Sequence, residues 1–314
     1  MPIKIPNDLP ASKILKEENI FVMDETRALS QRILPLKLII VNIMPTKIVT
    51  ETQLLRLLSN TPLQIEVDWL CMESHNSKNT SQEHLMEFYK TFNEIKDNKY
   101  DGLIVTGAPV EKLKFEDVDY WDELTNIFDW ANTNVFSSFF ICWASQASLY
   151  YYYGVEKYQL KEKLTGVYHH HTNPEKMRRR ILRGFDYQFY APHSRYTSVK
   201  KEDIEKIDSL DILASSNDAG VYLVAEKDGS RFFVTGHPEY DPDTLDKEYH
   251  RDLAKGGDCV MPKNYYKNDD VNDEILVKWR SHAYLLFSNW LNYYVYQNTP
   301  YNLDDLLKMK TTNK

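Results

Sequence analysis

The 314-residue chain is poor in cysteine and glycine and carries no excess of positive charge, and each shortage excludes something. Its three cysteines, Cys71, Cys142 and Cys259, are too few and odd in number for a disulfide framework. They suit free thiols in a reducing compartment, so a cytoplasmic location is expected. A formal net charge of −8 lacks the basic footprint of a nucleic-acid binder, so no nucleic-acid partner is expected. The most apolar run, residues 34–44, contains Lys37 and Asn42 and is too short to cross a bilayer, which argues against a membrane role. The opening MPIKIPNDLP is polar and carries three prolines, unlike a secretory signal. With ten glycines, no phosphate-cradling loop stands out. Neither does a zinc-type Cys/His set, and His169, His170 and His171 on a strand would alternate between faces and could not converge on one ion. No metal and no resident cofactor are expected.

What remains is an ordinary soluble composition, long enough for a substantial core. One dense basic run, Lys176 to Arg180 (KMRRR), reads either as a solvated face or as a patch steering an anionic ligand. Residues 1–35 read as an irregular arm with one short helix, residues 36–300 as a single catalytic α/β domain, and residues 301–314 as a tail. Within the domain, apolar β-branched runs alternate with helical spacing. Strands are expected at 36–44, 63–72, 102–106 and 135–141, with helices at 46–58, 82–93, 117–132 and 143–153. That alternation predicts a doubly wound, mostly parallel sheet. Asp228-Gly229 between two apolar runs predicts a hairpin, followed by helices near 243–254 and 272–296.

Cys142 stands where an apolar strand (VFSSFFI) meets a helix (WASQASLYYYY). Such a turn lifts a side chain above the sheet. The helix N-terminus beside it offers backbone N–H groups and partial positive charge, which favour a thiolate and can hold an oxyanion. A buried inert thiol is the competing reading. The second element is Gly236-His237-Pro238-Glu239, at the end of another extended segment. A glycine and a proline fix the imidazole at the rim of the sheet, and a carboxylate two residues on can orient it, so Cys142, His237 and Glu239 form a candidate nucleophile, base and orienting acid.

ICWASQA followed by TGHPE resembles the class I glutamine amidotransferase-like architecture, which has a flavodoxin-like core. The glycines that usually flank that elbow are missing here: Phe140 precedes the Ile-Cys pair and Ala144 follows Trp143. This weakens a glutaminase reading. A closer resemblance runs over nearly the whole chain. The arm around Lys16 to Ile20, NIMPTKIVTETQLLRLLSNTPLQ, DGLIVTGAPVE, ICWASQA, KLTGVYHH, APHSRY, VTGHPEYD and WRSHAYLLFSNWLNYYVYQNTPY are similar to the homoserine O-acyltransferases of the MetA type. The resemblance implies that Cys142 takes an acyl group from acyl-CoA as a thioester, and that the homoserine hydroxyl then attacks it with His237 as base. It further implies that Lys47 and the Trp143 backbone N–H support the oxyanion and that Lys163, Ser194 and Arg251 bind homoserine. Partners are then L-homoserine and acyl-CoA, the latter as co-substrate. The resemblance and the aromatic C-terminal helix are both compatible with a homodimer.

The same family divides between succinyl and acetyl donors at the position filled here by Glu111, with glycine there implying succinyl-CoA and Glu implying acetyl-CoA. The physics agrees. A second carboxylate about 4 Å from that of a succinyl group would cost roughly 4 kcal/mol at an effective dielectric near 20, close to a thousandfold discrimination. Acetyl is short and neutral. An acetyl donor is expected, with succinyl-CoA the alternative and a glutaminase-like hydrolase the remoter one.

Overall fold

A computed structural model describes residues 3–4, 6, 8–18, 35–75, 79–256, 259–300, 303 and 306. Among these, eleven strands form one sheet. They are β1 (Ile3–Lys4), β2 (Leu36–Val41), β3 (Ile65–Leu70), β4 (Tyr89–Lys90), β5 (Tyr100–Val105), β6 (Val135–Ile141), β7 (Lys157–Thr172), β8 (Gln188–Val199), β9 (Leu210–Ser216), β10 (Gly220–Glu226) and β11 (Arg231–Val234). The helices are α1 (Pro10–Glu17), α2 (Lys47–Leu58), α3 (Gln82–Phe88), α4 (Phe92–Ile95), α5 (Trp121–Asn134), α6 (Trp143–Tyr153), α7 (Lys201–Glu205), α8 (Thr244–Ala254) and α9 (Arg280–Trp290).

The spatial order is β1-β3-β2-β5-β6-β11-β10-β9-β7-β8, with β4 also paired to β3. Pairing is parallel from β1 through to β11. Beyond it the ladder turns antiparallel through β10, β9, β7 and β8. The expected α/β sheet with helices on both faces is present, and the antiparallel half extends it.

Alternation along the central strands explains the two layers. Leu38 and Ile40, Phe139 and Ile141, and Phe232 and Val234 face one side with α1, α2 and α9. Their neighbours Ile39 and Val41, Phe140, and Phe233 face the other with α5 and α6. A strand apolar on both faces is what burial between two helical layers demands. Arg56 on α2 joins the segment after α1 to the segment after β11: its guanidinium pairs with Glu18 (Nε to Oε2, 2.6 Å) and with Asp241.

Several boundaries differ from the expectations. The helix expected at 82–93 is interrupted, because Tyr89 and Lys90 pair with Trp69 and Leu70 as a short strand and the Tyr89 hydroxyl donates to buried Glu51. The helix expected to start at 117 begins at Trp121. The long helix expected over 272–296 is α9 followed by a wider turn at Leu291–Tyr296. Upstream of it, turns between Tyr265 and Leu276 take the backbone hydrogen bonds that a helix would need. The basic run at 176–180 serves the fold: Lys176 Nζ lies 2.7 Å from Asp211 on β9, and Arg179 donates to the carbonyls of Glu226 and Lys227. His170 is buried while His169 and His171 are partly exposed, as alternation requires. The expected tail, residues 301–314, lies outside the described residues except for 303 and 306.

Candidate active site

The site is assembled where β6, β11 and β5 end. Ile141 pairs with Val234 in register, and the Cys142 N–H continues that ladder by donating to the Val234 carbonyl at 2.7 Å. Cys142 itself has φ 50° and ψ −113°, a left-handed conformation that costs a non-glycine residue on the order of 1–3 kcal/mol. The elbow is thus made without flanking glycines, by placing the strain on the cysteine. Its carbonyl is held by Ser145, which donates both N–H (3.0 Å) and Oγ (2.6 Å) to it. Room for the elbow comes from Gly107, after β5: a β-carbon there would lie 3.3 Å from Cys142 Cβ and 3.3 Å from His237 Cε1.

His237 follows β11 and is fixed by its backbone N–H, which donates to the Pro192 carbonyl at 2.8 Å. Gly236 permits that approach, since a β-carbon on it would come within 2.7 Å of the same carbonyl. The imidazole Nδ1 is 2.7 Å from Glu239 Oε1, and its face stacks on Tyr240 with centroids 4.1 Å apart. Cys142, His237 and Glu239 are all buried. Burial opposes a charge on His237. The Cys142 sulfur and the Glu239 carboxylate outweigh it, by charge and by hydrogen bonding, and hold the imidazole well above its usual value. These contacts favour the charged form of the imidazole beside the Cys142 sulfur.

A cleft of about 510 Å³ opens over Cys142 and His237. Its walls bring together Glu111, Lys163, Ser194 and Arg251, four residues singled out in the sequence. Lys163 Nζ lies 2.8 Å from Asp252 and 3.7 Å from Glu248. Glu248 also accepts from Ser194 Oγ (2.5 Å) and Tyr240 Oη (2.9 Å), while Arg251 donates to Asp252 at 2.8 Å. Two cations and two anions thus face one recess, a balance suited to a zwitterion. Glu111 is half-buried and lines the same cleft. Burial raises its pKa, against the pull of its own backbone and of His237 and Lys163. Lys157 fixes its loop by donating to the Glu111 carbonyl (2.8 Å) and the Leu113 carbonyl (2.6 Å).

Two support positions fare differently. The Trp143 backbone N–H is the first of α6, directly after Cys142, and belongs to the helix's unpaired first turn. Lys47 does not line the cleft: its ammonium donates to the Asn42 carbonyl and lies 5.6 Å from the Tyr89 ring centroid. Burial lowers its pKa to about 8. What Lys47 does here is clasp the loop between β2 and α2, whose Met44, Pro45 and Thr46 wall the cleft. Gly107, Lys157, Tyr240, Glu248 and Asp252 escaped the sequence reading. The spacing Glu248-Arg251-Asp252, at i, i+3 and i+4 on one helix, was the available signal for the last pair.

The family model described as homoserine O-succinyltransferase matches residues 2–301. The chain belongs to this acyltransferase family. Among relatives named homoserine O-acetyltransferase, the one from Catenibacterium mitsuokai is 72% identical over 311 residues, 99% of this chain and 100% of that one. The one from Petrotoga mobilis is 60% identical over 306 residues, 98% of each chain. A solved glutamine amidotransferase from Thermotoga maritima is 12% identical, covers 82% of this chain and 98% of its own, and has a TM-score of 0.53. That likeness concerns the fold alone. No described helix is long and apolar enough to cross a membrane, and the described residues contain no metal-binding cluster of acids, histidines and cysteines.

Proposed function

We propose that the protein is a homoserine O-acetyltransferase that carries acetyl on Cys142. The thiolate attacks the acetyl-CoA carbonyl, the Trp143 N–H receives the oxyanion, and His237 protonates the departing CoA thiolate. His237, now neutral, removes the proton from the homoserine hydroxyl as that oxygen attacks the thioester, and O-acetylhomoserine leaves. Glu239 holds the imidazole through both halves. The amino acid's carboxylate fits Lys163 and Arg251, and its ammonium fits Glu248 and Asp252.

The choice of acetyl over succinyl rests on one observation, the half-buried Glu111 carboxyl in the cleft wall facing Cys142 and His237. The family's description names succinyl, yet relatives of 55–72% identity are named for acetyl, which supports the same choice. Steady-state rates with both donors test it, and a preference for succinyl-CoA would overturn it. Mixing with acetyl-CoA alone should add about 42 Da to Cys142, the mass of one acetyl group, as a two-step covalent mechanism requires. Cys142→Ala should abolish both the adduct and the transfer. The route asks for no resident cofactor or metal, and the reading includes a cytoplasmic location, supported by the few free cysteines, at the first committed step of methionine biosynthesis. Sedimentation tests the accompanying expectation of a homodimer.

A further inference from the structure

Directly behind the site, Arg195 on β8 is buried to 1% exposure, and among the described residues it meets no carboxylate. Its neighbour Ser194 faces the cleft, so alternation sends His193 and Arg195 to the other face of the strand. The guanidinium donates Nη1 to the Thr197 carbonyl (2.6 Å), Nη2 to the Ala219 carbonyl (2.5 Å), and Nε to His193 Nδ1 (3.4 Å).

The histidines beyond it can be given their protons from these contacts. His170 Nδ1 lies 2.9 Å from the Tyr168 carbonyl, so that nitrogen carries hydrogen and Nε2 is an acceptor. His193 Nε2, 3.0 Å from His170 Nε2, must then be the donor, which leaves His193 Nδ1 to accept from Arg195. Both imidazoles are neutral in this chain, and burial lowers the pKa of each. Every direct partner of Arg195 is therefore uncharged. A buried guanidinium in such company is costly unless a negative charge lies nearby.

The candidate lies beyond Thr197. Thr197 joins Arg195 to the nucleophile helix: its carbonyl accepts from both Arg195 and Gln146 Nε2 (3.3 Å), and its hydroxyl donates to Gln146 Oε1 (2.8 Å), one turn from Cys142. The titratable groups that feel the guanidinium are Cys142 at the elbow, Tyr158 and Tyr168 on β7, His193 on β8, His170 on β7, and Glu111 on the cleft wall, with His237 reaching His193. We infer that Arg195 is an electrostatic positioning residue, whose uncompensated charge behind the elbow holds negative charge on the Cys142 sulfur. The inference rests on Cys142 being the nucleophile and adds a second cation, besides His237, to its surroundings.

Alkylation by iodoacetamide reads the thiolate without any substrate. Rates at Cys142 would be followed by peptide mass spectrometry from pH 5 to 9, with circular dichroism to confirm folding. Arg195→Met and Arg195→Gln should each slow alkylation at pH 6.5 about tenfold, the effect of moving the curve one pH unit. Arg195→Lys, which keeps the charge, should retain most of the rate. Gln can still donate to the Thr197 carbonyl and serves where Met does not fold. A folded neutral variant alkylated at the wild-type rate throughout overturns the inference, as does Arg195→Lys falling as far as Met. Should acetyl transfer survive complete alkylation of wild-type Cys142, the proposed function fails instead.

Discussion

The imidazole of His237 and the ring of Tyr240 lie face to face, 19° from parallel, with their centroids 4.1 Å apart. Tyr240 is itself anchored, since its carbonyl accepts from Trp279 Nε1 at 3.0 Å and its hydroxyl donates to Glu248. The base is thus held on its edge by Glu239 and on its face by Tyr240. Such a ring contact is worth about 0.5–1.5 kcal/mol beyond burial. Tyr240→Leu is expected to lower kcat about tenfold with folding retained. Tyr240→Phe keeps the stack and frees Glu248, so its main effect should be on KM for homoserine. Steady-state kinetics with each substrate varied separates the two.

Gly107 faces both reacting residues, so a single methyl group there tests how tightly the pair is set. Gly107→Ala should reduce kcat/KM by about 100-fold or more, as misplacement of reacting groups by around an ångström does. Its melting temperature should change little, since φ there needs no glycine and only the approach is close. Activity within a factor of two of wild type would show that the elbow can give way.

Glu239→Gln keeps the shape of the acid and removes its charge. One of the two influences holding the His237 pKa high is then lost, and that pKa falls. The imidazolium then loses its proton at lower pH than in the wild type. The alkaline limb of kcat/KM should therefore move to lower pH, with kcat reduced on the order of 100-fold. An unmoved alkaline limb would mean that Glu239 orients His237 without stabilising its charge.

Glu111 makes donor choice depend on pH. Because its pKa is raised by burial, lowering the pH protonates it before an ordinary surface carboxylate. The repulsion that excludes succinyl weakens in that direction, so the acetyl/succinyl ratio of kcat/KM should be larger at neutral pH and fall as the pH is lowered towards the carboxylate range. In Glu111→Gly, succinyl-CoA turnover should rise and the ratio should lose this dependence. Lys157→Met, which releases the loop carrying Glu111, should also reduce the ratio while leaving alkylation of Cys142 unchanged.

The parallel half of the fold was legible because burial on both faces writes continuous apolar runs, as in Val135–Ile141 and Leu36–Val41. Of the antiparallel half, the β10–β11 hairpin around Asp228-Gly229 was legible from its turn residues and the rest was not. The first part of β7, Lys157–Lys161, alternates only Tyr158 and Leu160 with polar residues, and its side chains are exposed or half-exposed, so it lacks the apolar run that marks the buried strands. Cys142, His237 and Glu239 could be found because each follows an apolar strand and sits in a short motif. Tyr240 and Glu248 could not, since their roles arise from contacts with Trp279, Lys163 and Ser194 far along the chain. Lys47 stands in a motif whose resemblance implies oxyanion support, and here its buried ammonium donates to the Asn42 carbonyl, a contact that the sequence does not foretell.

Because Ile141 and Val234 are ladder partners, the spacing between nucleophile and base is a property of backbone pairing, about 4.8 Å from strand to strand. The groups that choose substrates stand elsewhere: Glu111 in a loop, Ser194 on a different strand pair, Arg251 on α8. Chemistry and selectivity therefore stand on different elements, joined at Tyr240, which stacks on His237 and bonds Glu248. A designer could rebuild the recess for another acyl donor or another hydroxy amino acid while leaving the two strands that bring sulfur and imidazole together untouched.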